Sequence, residues 1–222
     1  MPTIAIVGAG PGLGLALAKQ FGRNGYSAAL IARNPQKLDG LVEALNREGI
    51  EAAGFPADTA DSLALRDALA SASSRFGGIQ VLEYSPYTAG PGFMVNPLDV
   101  TVENLREPVD SLLFGTVAAV QSVLPAMRQA GQGTILITAG VGSIDPVPFF
   151  GTLNAAQAAA RNWTLNLRSQ LVDSGVYVAH IAVGLMIGDN APDGYPSMSA
   201  DEIAKIYWEM HLSRSEAERI IA

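Results

Sequence analysis

The stretch Thr3-Ile4-Ala5-Ile6-Val7-Gly8-Ala9-Gly10-Pro11-Gly12-Leu13-Gly14 decides how the rest of the chain is read. Thr3–Val7 is an uncharged, largely apolar run and reads as a buried strand. A glycine-rich loop follows at once. Beyond it, apolar residues fall at 13, 15, 17 and 21, the period of a helix over 12–24. A strand, a glycine loop and a helix start in that order present free backbone N–H groups and the positive end of a helix to a phosphate. The spacing G-x-G-x-x-G fails, because its third glycine would fall on Leu13. The spacing G-x-x-x-G-x-G fits, on Gly8, Gly12 and Gly14. A tight turn that merely packs a helix on a sheet is the competing reading. The strand before and the helix after favour nucleotide binding.

The same alternation runs on. Strands are expected at Ser27–Ala32, 50–55, 79–84, 134–138 and Val176–Val183, with a short seventh at Glu218–Ile221. Helices are expected over 35–48, opened by Pro35, and over 61–74, capped by Asp61. Further helices are expected over 101–129, with a break at Pro108 and a kink at Pro125, and over 151–174 and 199–211. Residues 85–100 and 184–197 read as loops. Strands alternating with helices predict an α/β fold, a doubly wound parallel sheet of Rossmann type with helices on both faces. At 222 residues, with no linker, repeat or low-complexity tract, the expectation is one domain over 1–222.

Composition excludes several functions. Lys plus Arg is 14 and Asp plus Glu is 21, a net charge of -7 that does not suit a nucleic-acid backbone. A hydrophobic fraction of 49% against 16% charged excludes a disordered chain. It also suggests apolar surface covered by a partner subunit. With no cysteine, disulfides, thiolate catalysis and cysteine-bound zinc are excluded. No basic segment precedes an apolar run at the N-terminus, and no stretch reaches the ~18–20 uninterrupted apolar residues of a membrane span. A soluble cytoplasmic protein without membrane or nucleic-acid partners is expected.

The glycine spacing and the order of elements resemble the short-chain dehydrogenase/reductase family over about the first 190 residues. The resemblance implies a nicotinamide cofactor cradled by Gly8, Gly10, Pro11, Gly12, Leu13 and Gly14. Members that prefer NAD end the second strand with an acid. Here Ala32 stands at that position, followed by Arg33 and Asn34. An Arg can pair with a 2′-phosphate, so NADP is the expected cofactor. An ordinary surface Arg is the alternative. Lys37 either assists or is a solvated helix lysine. Asp58, in Ala57-Asp58-Thr59, is either an acceptor for the adenine amino group or a helix-capping residue. By the same resemblance, Thr59, Ser85, Pro86, Thr138, Gln157, Gly184, Met186 and Ile187 are the remaining expected cofactor contacts.

The catalytic pattern of the family breaks down in this chain. Its Asn-Asn-Ala-Gly aligns with Tyr84-Ser85-Pro86-Tyr87, its helix Asn with Leu112, its Ser with Gly140, and its Tyr-x-x-x-Lys with Leu153 and Gln157. Leu153 can transfer no proton. Gln157 can still bond ribose hydroxyls but carries no charge. Tyr84 and Tyr87, at the carboxyl end of strand four, are candidate replacement donors, with aromatic packing as the competing role. Asn154 and Thr138 could orient a substrate or cap elements. His180 reads as a core histidine, His211 as exposed and Asp145 as a turn residue. The segment 146–150 with Met186, Pro192, Tyr195 and Met198 is expected to wall a pocket for a small hydrophobic carbonyl compound. Ile206, Tyr207, Trp208 and Met210 either cover that pocket or pack in the core. Two functions follow: an atypical NADP-dependent oxidoreductase that reduces a carbonyl, or a catalytically inactive NADP-binding protein such as a redox sensor or partner-binding subunit. The Ala-rich helix at 151–174 and the long helix before it point to a homodimer or homotetramer.

Overall fold

The computed structural model describes residues 1–87, 93–188 and 191–222. Strands β1 (Thr3–Val7), β2 (Ser27–Ala32), β3 (Ala52–Pro56), β4 (Val81–Tyr84), β5 (Gly133–Gly140), β6 (Val176–Val183) and β9 (Glu218–Ile221) form a seven-stranded sheet in the order β3-β2-β1-β4-β5-β6-β9. Every neighbouring pair is parallel. β1 pairs with β2 on one side and β4 on the other, so the chain reverses its direction of travel across the sheet at β1. That switch point opens a crevice above the carboxyl ends of the strands.

Helices α1 (Leu13–Gly22), α2 (Pro35–Arg47) and α7 (Ala200–Ser213) cover one face. Helices α3 (Ser62–Phe76), α5 (Gly115–Ala130) and α6 (Gly151–Gln170) cover the other. Each strand feeds both layers because successive side chains point to opposite faces. On β4, Val81 packs with the α1–α7 layer, whereas Leu82 and Tyr84 pack with the α3–α5 layer. Asn34 caps α2 by accepting the Lys37 amide, and Asp61 caps α3 by accepting the amides of Leu63 and Ala64.

The differences from the sequence reading have local causes. β5 extends to Gly140 because β6 pairs with it along its whole length. Pro108 ends the short helix α4 (Val102–Pro108) but does not break the run, which passes through a π-helical turn at Val109–Phe114 into α5. The wider turn absorbs the rung that proline cannot make. Pro125 lies within α5 without interrupting it. The expected loop at 184–197 contains a two-residue strand β7 (Met186–Ile187), paired with β8 (Ser197–Met198). The stretch Val102–Ala130 is long enough to cross a membrane and holds an 18-residue window apolar enough to do so, with a mean hydropathy of 1.4. In this fold α5 instead buries Ala118, Ala119, Val120, Val123 and Met127 against the sheet and α3.

Candidate functional site

A cavity of about 610 Å³ opens at the carboxyl edge beside the switch point. The glycine loop lines it from Gly8 to Pro11. Ala32, Arg33, Asn34 and Lys37 line the side nearest β2, Ala57 and Thr59 the side nearest β3, and Pro86 and Tyr87 the side nearest β4. The glycines divide into two kinds. Gly8 has φ +95°, and a Cβ there would lie 2.6 Å from the backbone of Ser85 and Pro86. A Cβ at Gly14 would lie 2.9 Å from the Ala9 backbone. These two let the loop, the helix start and the end of β4 touch. Gly10 and Gly12 face open space. The amides of Leu15 and Ala16 are bonded to the Gly10 and Gly12 carbonyls. The amides ahead of them, including that of Leu13, are the helix-start donors available to an anion. The loop fits a pyrophosphate.

Arg33 and Lys37 stand exposed on the rim, and among the described residues neither has an ion pair. In contrast, Lys19 and Arg23 share Glu48. Asn34 spends its side-chain oxygen on the α2 cap. Asp58 accepts the Ala60 amide at 3.0 Å in a local turn, while the α3 cap belongs to Asp61. The capping alternative for Asp58 is therefore corrected to a turn three residues ahead of the cap. Thr59 is buried, with its hydroxyl 2.6 Å from that of Ser111.

The candidacy of Tyr84 as a proton donor is overturned by its place on β4. It is 1% exposed, and its hydroxyl donates to the Ser111 carbonyl at 2.5 Å. Gly115 leaves room for that hydroxyl under α5. Burial raises its pKa further above the ordinary tyrosine value. The phenol faces the α3–α5 layer and turns away from the crevice. The packing role is the one it plays. Tyr87 is 73% exposed and sits on the cavity wall beside Pro86.

Where the family's proton-transfer groups align, the site is apolar. Leu112 and Leu153 join Phe93, Ala156 and Val109 in one small cluster. Gln157 accepts the Gly140 amide at 3.1 Å through its side-chain oxygen, which leaves its NH₂ free to donate. Asn154 donates to the Val147 carbonyl at 2.8 Å, pinning the 146–150 segment to α6, so that side chain is committed to the loop. Gly184 follows β6, and its amide donates to the Ile221 carbonyl. Met186 and Ile187 are about half exposed on the β7–β8 ladder; Tyr195, just ahead of β8, and Phe149, in the 146–150 segment, are exposed. Tyr207 and Met210 do not cover a pocket, for both are fully buried between the sheet and α1.

Thr138 and Ser85 were expected to face a cofactor, and both turn their hydroxyls inward. Thr138 donates to Glu83 Oε1 at 2.8 Å and lies 2.8 Å from the Tyr207 hydroxyl. Ser85 donates to Glu83 Oε2 at 2.9 Å. Glu83 is fully buried, and desolvation pushes its carboxyl up to about 8 despite those two hydrogen bonds. It escaped the sequence reading, although an acid inside the apolar strand Val81-Leu82-Glu83-Tyr84 is a visible anomaly. His180 is fully buried as expected, its Nδ1 2.9 Å from Glu218, which also holds Arg161. His211 is not an idle exposed residue. Its ring sits among Phe21, Tyr26 and Trp208, and both nitrogens have partners, Tyr26 and Thr134.

The chain is similar over 181 residues, at 29% identity, to an uncharacterized oxidoreductase of Staphylococcus epidermidis, covering 82% of this chain and 76% of the relative. It is 26% identical over 226 residues to a fatty acyl-CoA reductase of Mycobacterium tuberculosis, covering 98% and 75% of the two chains. The L-sorbose reductase of Gluconobacter frateurii, solved with NADPH and L-sorbose, has the same fold at a TM-score of 0.86 and 21% identity, over 100% of this chain and 95% of that one. The profile of the short chain dehydrogenase family matches residues 2–193. With the glycine loop, the parallel sheet and the switch-point cavity in place, this chain belongs to the short chain dehydrogenase family of oxidoreductases.

Proposed function

We propose that this chain is an NADP-dependent reductase of a small hydrophobic carbonyl compound that works without the family's tyrosine and lysine. One observation carries the cofactor choice: Arg33 and Lys37, two cations without ion pairs among the described residues, flank the glycine-loop cavity of an otherwise acidic chain. A charge-assisted contact to a 2′-phosphate suits that rim, and a carboxylate is missing where NAD-preferring relatives carry one. The NADPH of the Gluconobacter reductase is consistent with this choice. When bound, a reduced nicotinamide supplies a hydride. This chain's own residues would do the rest. Gly10, Gly12 and Leu13 receive the pyrophosphate, and Arg33 receives the 2′-phosphate. Asp58 keeps one carboxylate oxygen for the adenine. The Gln157 NH₂ faces the ribose hydroxyls, and Pro86, Gly184, Met186 and Ile187 flank the nicotinamide end. The apolar cluster of Leu112, Leu153 and Phe93 favours an apolar substrate. The acyl substrate class of the mycobacterial relative is compatible with such a wall. A cytoplasmic homodimer or homotetramer, associating through α5 and the Ala-rich face of α6, completes this reading.

The same apolar cluster favours a second reading, an NADP-binding protein that performs no chemistry and serves as a redox sensor or partner-binding subunit. Titration of NADPH and NADH by fluorescence, followed by a panel of aliphatic and aromatic aldehydes and ketones, separates the two. Tight NADPH binding with turnover supports the reductase. Tight binding without turnover, and no gain on combining Gly140→Ser, Leu153→Tyr and Gln157→Lys, supports the sensor. Equal affinity for both cofactors sinks the NADP assignment.

A further inference from the structure

We infer that this site takes its affinity from the adenosine 2′-phosphate and pyrophosphate of the cofactor and is indifferent to the redox state of the nicotinamide. The inference rests on the NADP choice above and not on turnover.

The adenosine side is built to receive. The cavity runs past Arg33 and Lys37 along α2 to Gly40 and Leu41. Gly40 is exposed inside a helix, where glycine is destabilising relative to alanine. A Cβ there would meet nothing within 4 Å, so packing does not require the glycine. Its place on the cavity wall gives it a use, for it leaves α2 bare one turn beyond Lys37. Ala32, Leu41 and Ala57 add apolar surface suited to a purine. Arg33 and Lys37 have no ion pair among the described residues to give up, so a phosphate gains the full charge-assisted contact. The start of α1 adds its amides.

The nicotinamide side has its polar atoms committed within the protein. Gln157 accepts the Gly140 amide, and Asn154 donates to the Val147 carbonyl. Ser85 and Thr138 donate to Glu83. The backbone amides of Met186 and Gly188 donate to Pro196 and Met198 along the β7–β8 ladder. A nicotinamide carboxamide therefore meets groups that already have partners.

The two redox forms differ chiefly by the positive charge of the oxidised ring. Binding separates them only to the extent that a fixed charge lies near that ring, because Coulomb energy falls with distance. The family's lysine would be such a charge. Here the four positions aligned with the family's reacting groups carry Leu112, Gly140, Leu153 and Gln157, all uncharged. The acid beneath them, Glu83, is fully buried and keeps its proton at neutral pH. Under the reductase reading, the NADP⁺ formed then competes with NADPH on equal terms. Under the binding-protein reading, occupancy follows the total NADP(H) pool and not its redox ratio.

Calorimetric titration of the intact protein at neutral pH with NADPH, NADP⁺, 2′-phospho-ADP-ribose and ADP-ribose tests this. The three 2′-phosphorylated ligands should bind within tenfold of one another, and ADP-ribose about tenfold or more weaker. Gly40→Glu keeps a good helix former on α2 and sets a carboxylate on the cavity wall. It should weaken all three by a common factor of about tenfold. The wild-type titrations carry the test if that variant does not fold. An advantage of tenfold or more for NADPH over 2′-phospho-ADP-ribose, or between NADPH and NADP⁺ in either direction, overturns the inference while the NADP choice stands. A folded Gly40→Glu protein with full affinity overturns it too. Equal binding of ADP-ribose with and without its 2′-phosphate, or no binding of any of the four, overturns the NADP choice and the inference with it.

Discussion

The carboxyl edge of the sheet is filled differently at its two ends. Beside β1 and β2, glycines leave space, the helix start offers amides, and Arg33 and Lys37 have no carboxylate partner among the described residues. Beside β4 and β5, the space is taken. Leu112, Leu153 and Phe93 close on one another, Gln157 is tied to Gly140, and the hydroxyls of Ser85 and Thr138 are drawn inward by Glu83. One end is built to receive an anion. The other holds its polar atoms inside the fold. The difference shows how separable binding and chemistry are on a shared scaffold, since the strand order that creates the crevice does not depend on which side chains face it.

The largest effect that tests this contrast belongs to the buried acid. Folded, Glu83 keeps its proton up to about pH 8, whereas an unfolded glutamate releases it near 4.5. Between those values the folded chain binds more protons than the unfolded one, so stability falls as pH rises. At ~1.4 kcal/mol per pH unit, the wild type should lose about 3 kcal/mol between pH 6 and pH 9 relative to Glu83→Gln. His211 acts in the opposite sense. Burial holds it at about 4, below its ordinary 6.5, so its contribution is lost as pH falls through that interval. The two slopes oppose each other between 4.5 and 6.5 and leave Glu83 alone above that range. Urea unfolding of both proteins at several pH values checks it. Parallel curves would mean that Glu83 is an ordinary carboxylate.

At the other end, Gly8 and Gly12 should break in different ways. Gly12→Val places a side chain in open space, so the melting temperature should hold while NADPH affinity falls about 100-fold or more, ~2.7 kcal/mol. Gly8→Ala forces a Cβ into the Ser85–Pro86 backbone at a positive φ, so both stability and binding should fall. Thermal melts paired with fluorescence titrations separate the two. A stable Gly12→Val protein with full affinity would reduce the loop to a turn.

Arg33→Ala should act on one cofactor only. Loss of a charge-assisted bond costs ~1.5–3 kcal/mol, about tenfold or more in NADPH affinity. NADH, without the 2′-phosphate, should bind unchanged. An equal loss for both would show that Arg33 acts through the shape of the rim.

The binding end was the legible one. Gly8, Gly12 and Gly14 at their spacing, Ala32 before Arg33, and the strand periods placed the cavity and all seven strands of the sheet, down to the short Glu218–Ile221. These features depend on local spacing and on short apolar runs alternating with helical periods, which a sequence displays directly. The chemical end depends on which way a side chain points and what it meets across the sheet. Tyr84 and Ser85 are adjacent, yet pleating sends one phenol under α5 and one hydroxyl to Glu83 on the opposite layer. Thr138 meets Tyr207 across 69 residues, and no local pattern foretells that pair.

The smallest effect separates the two tyrosines. Tyr84→Phe removes the donor to the Ser111 carbonyl and leaves that acceptor buried, so it should cost ~0.5–1.5 kcal/mol in stability, read as a shifted urea midpoint at constant slope. Tyr87 is exposed, and Tyr87→Phe should leave the midpoint where it is. Tyr84→Phe should leave carbonyl reduction unchanged, because the phenol is committed to Ser111. Loss of reduction in Tyr87→Phe, with NADPH binding and stability intact, would give the donor role to the cavity wall. The same loss in Tyr84→Phe would require the phenol to leave Ser111 during turnover. An exposure of 1% and a 2.5 Å bond argue against that, because the buried carbonyl would lose its donor each time.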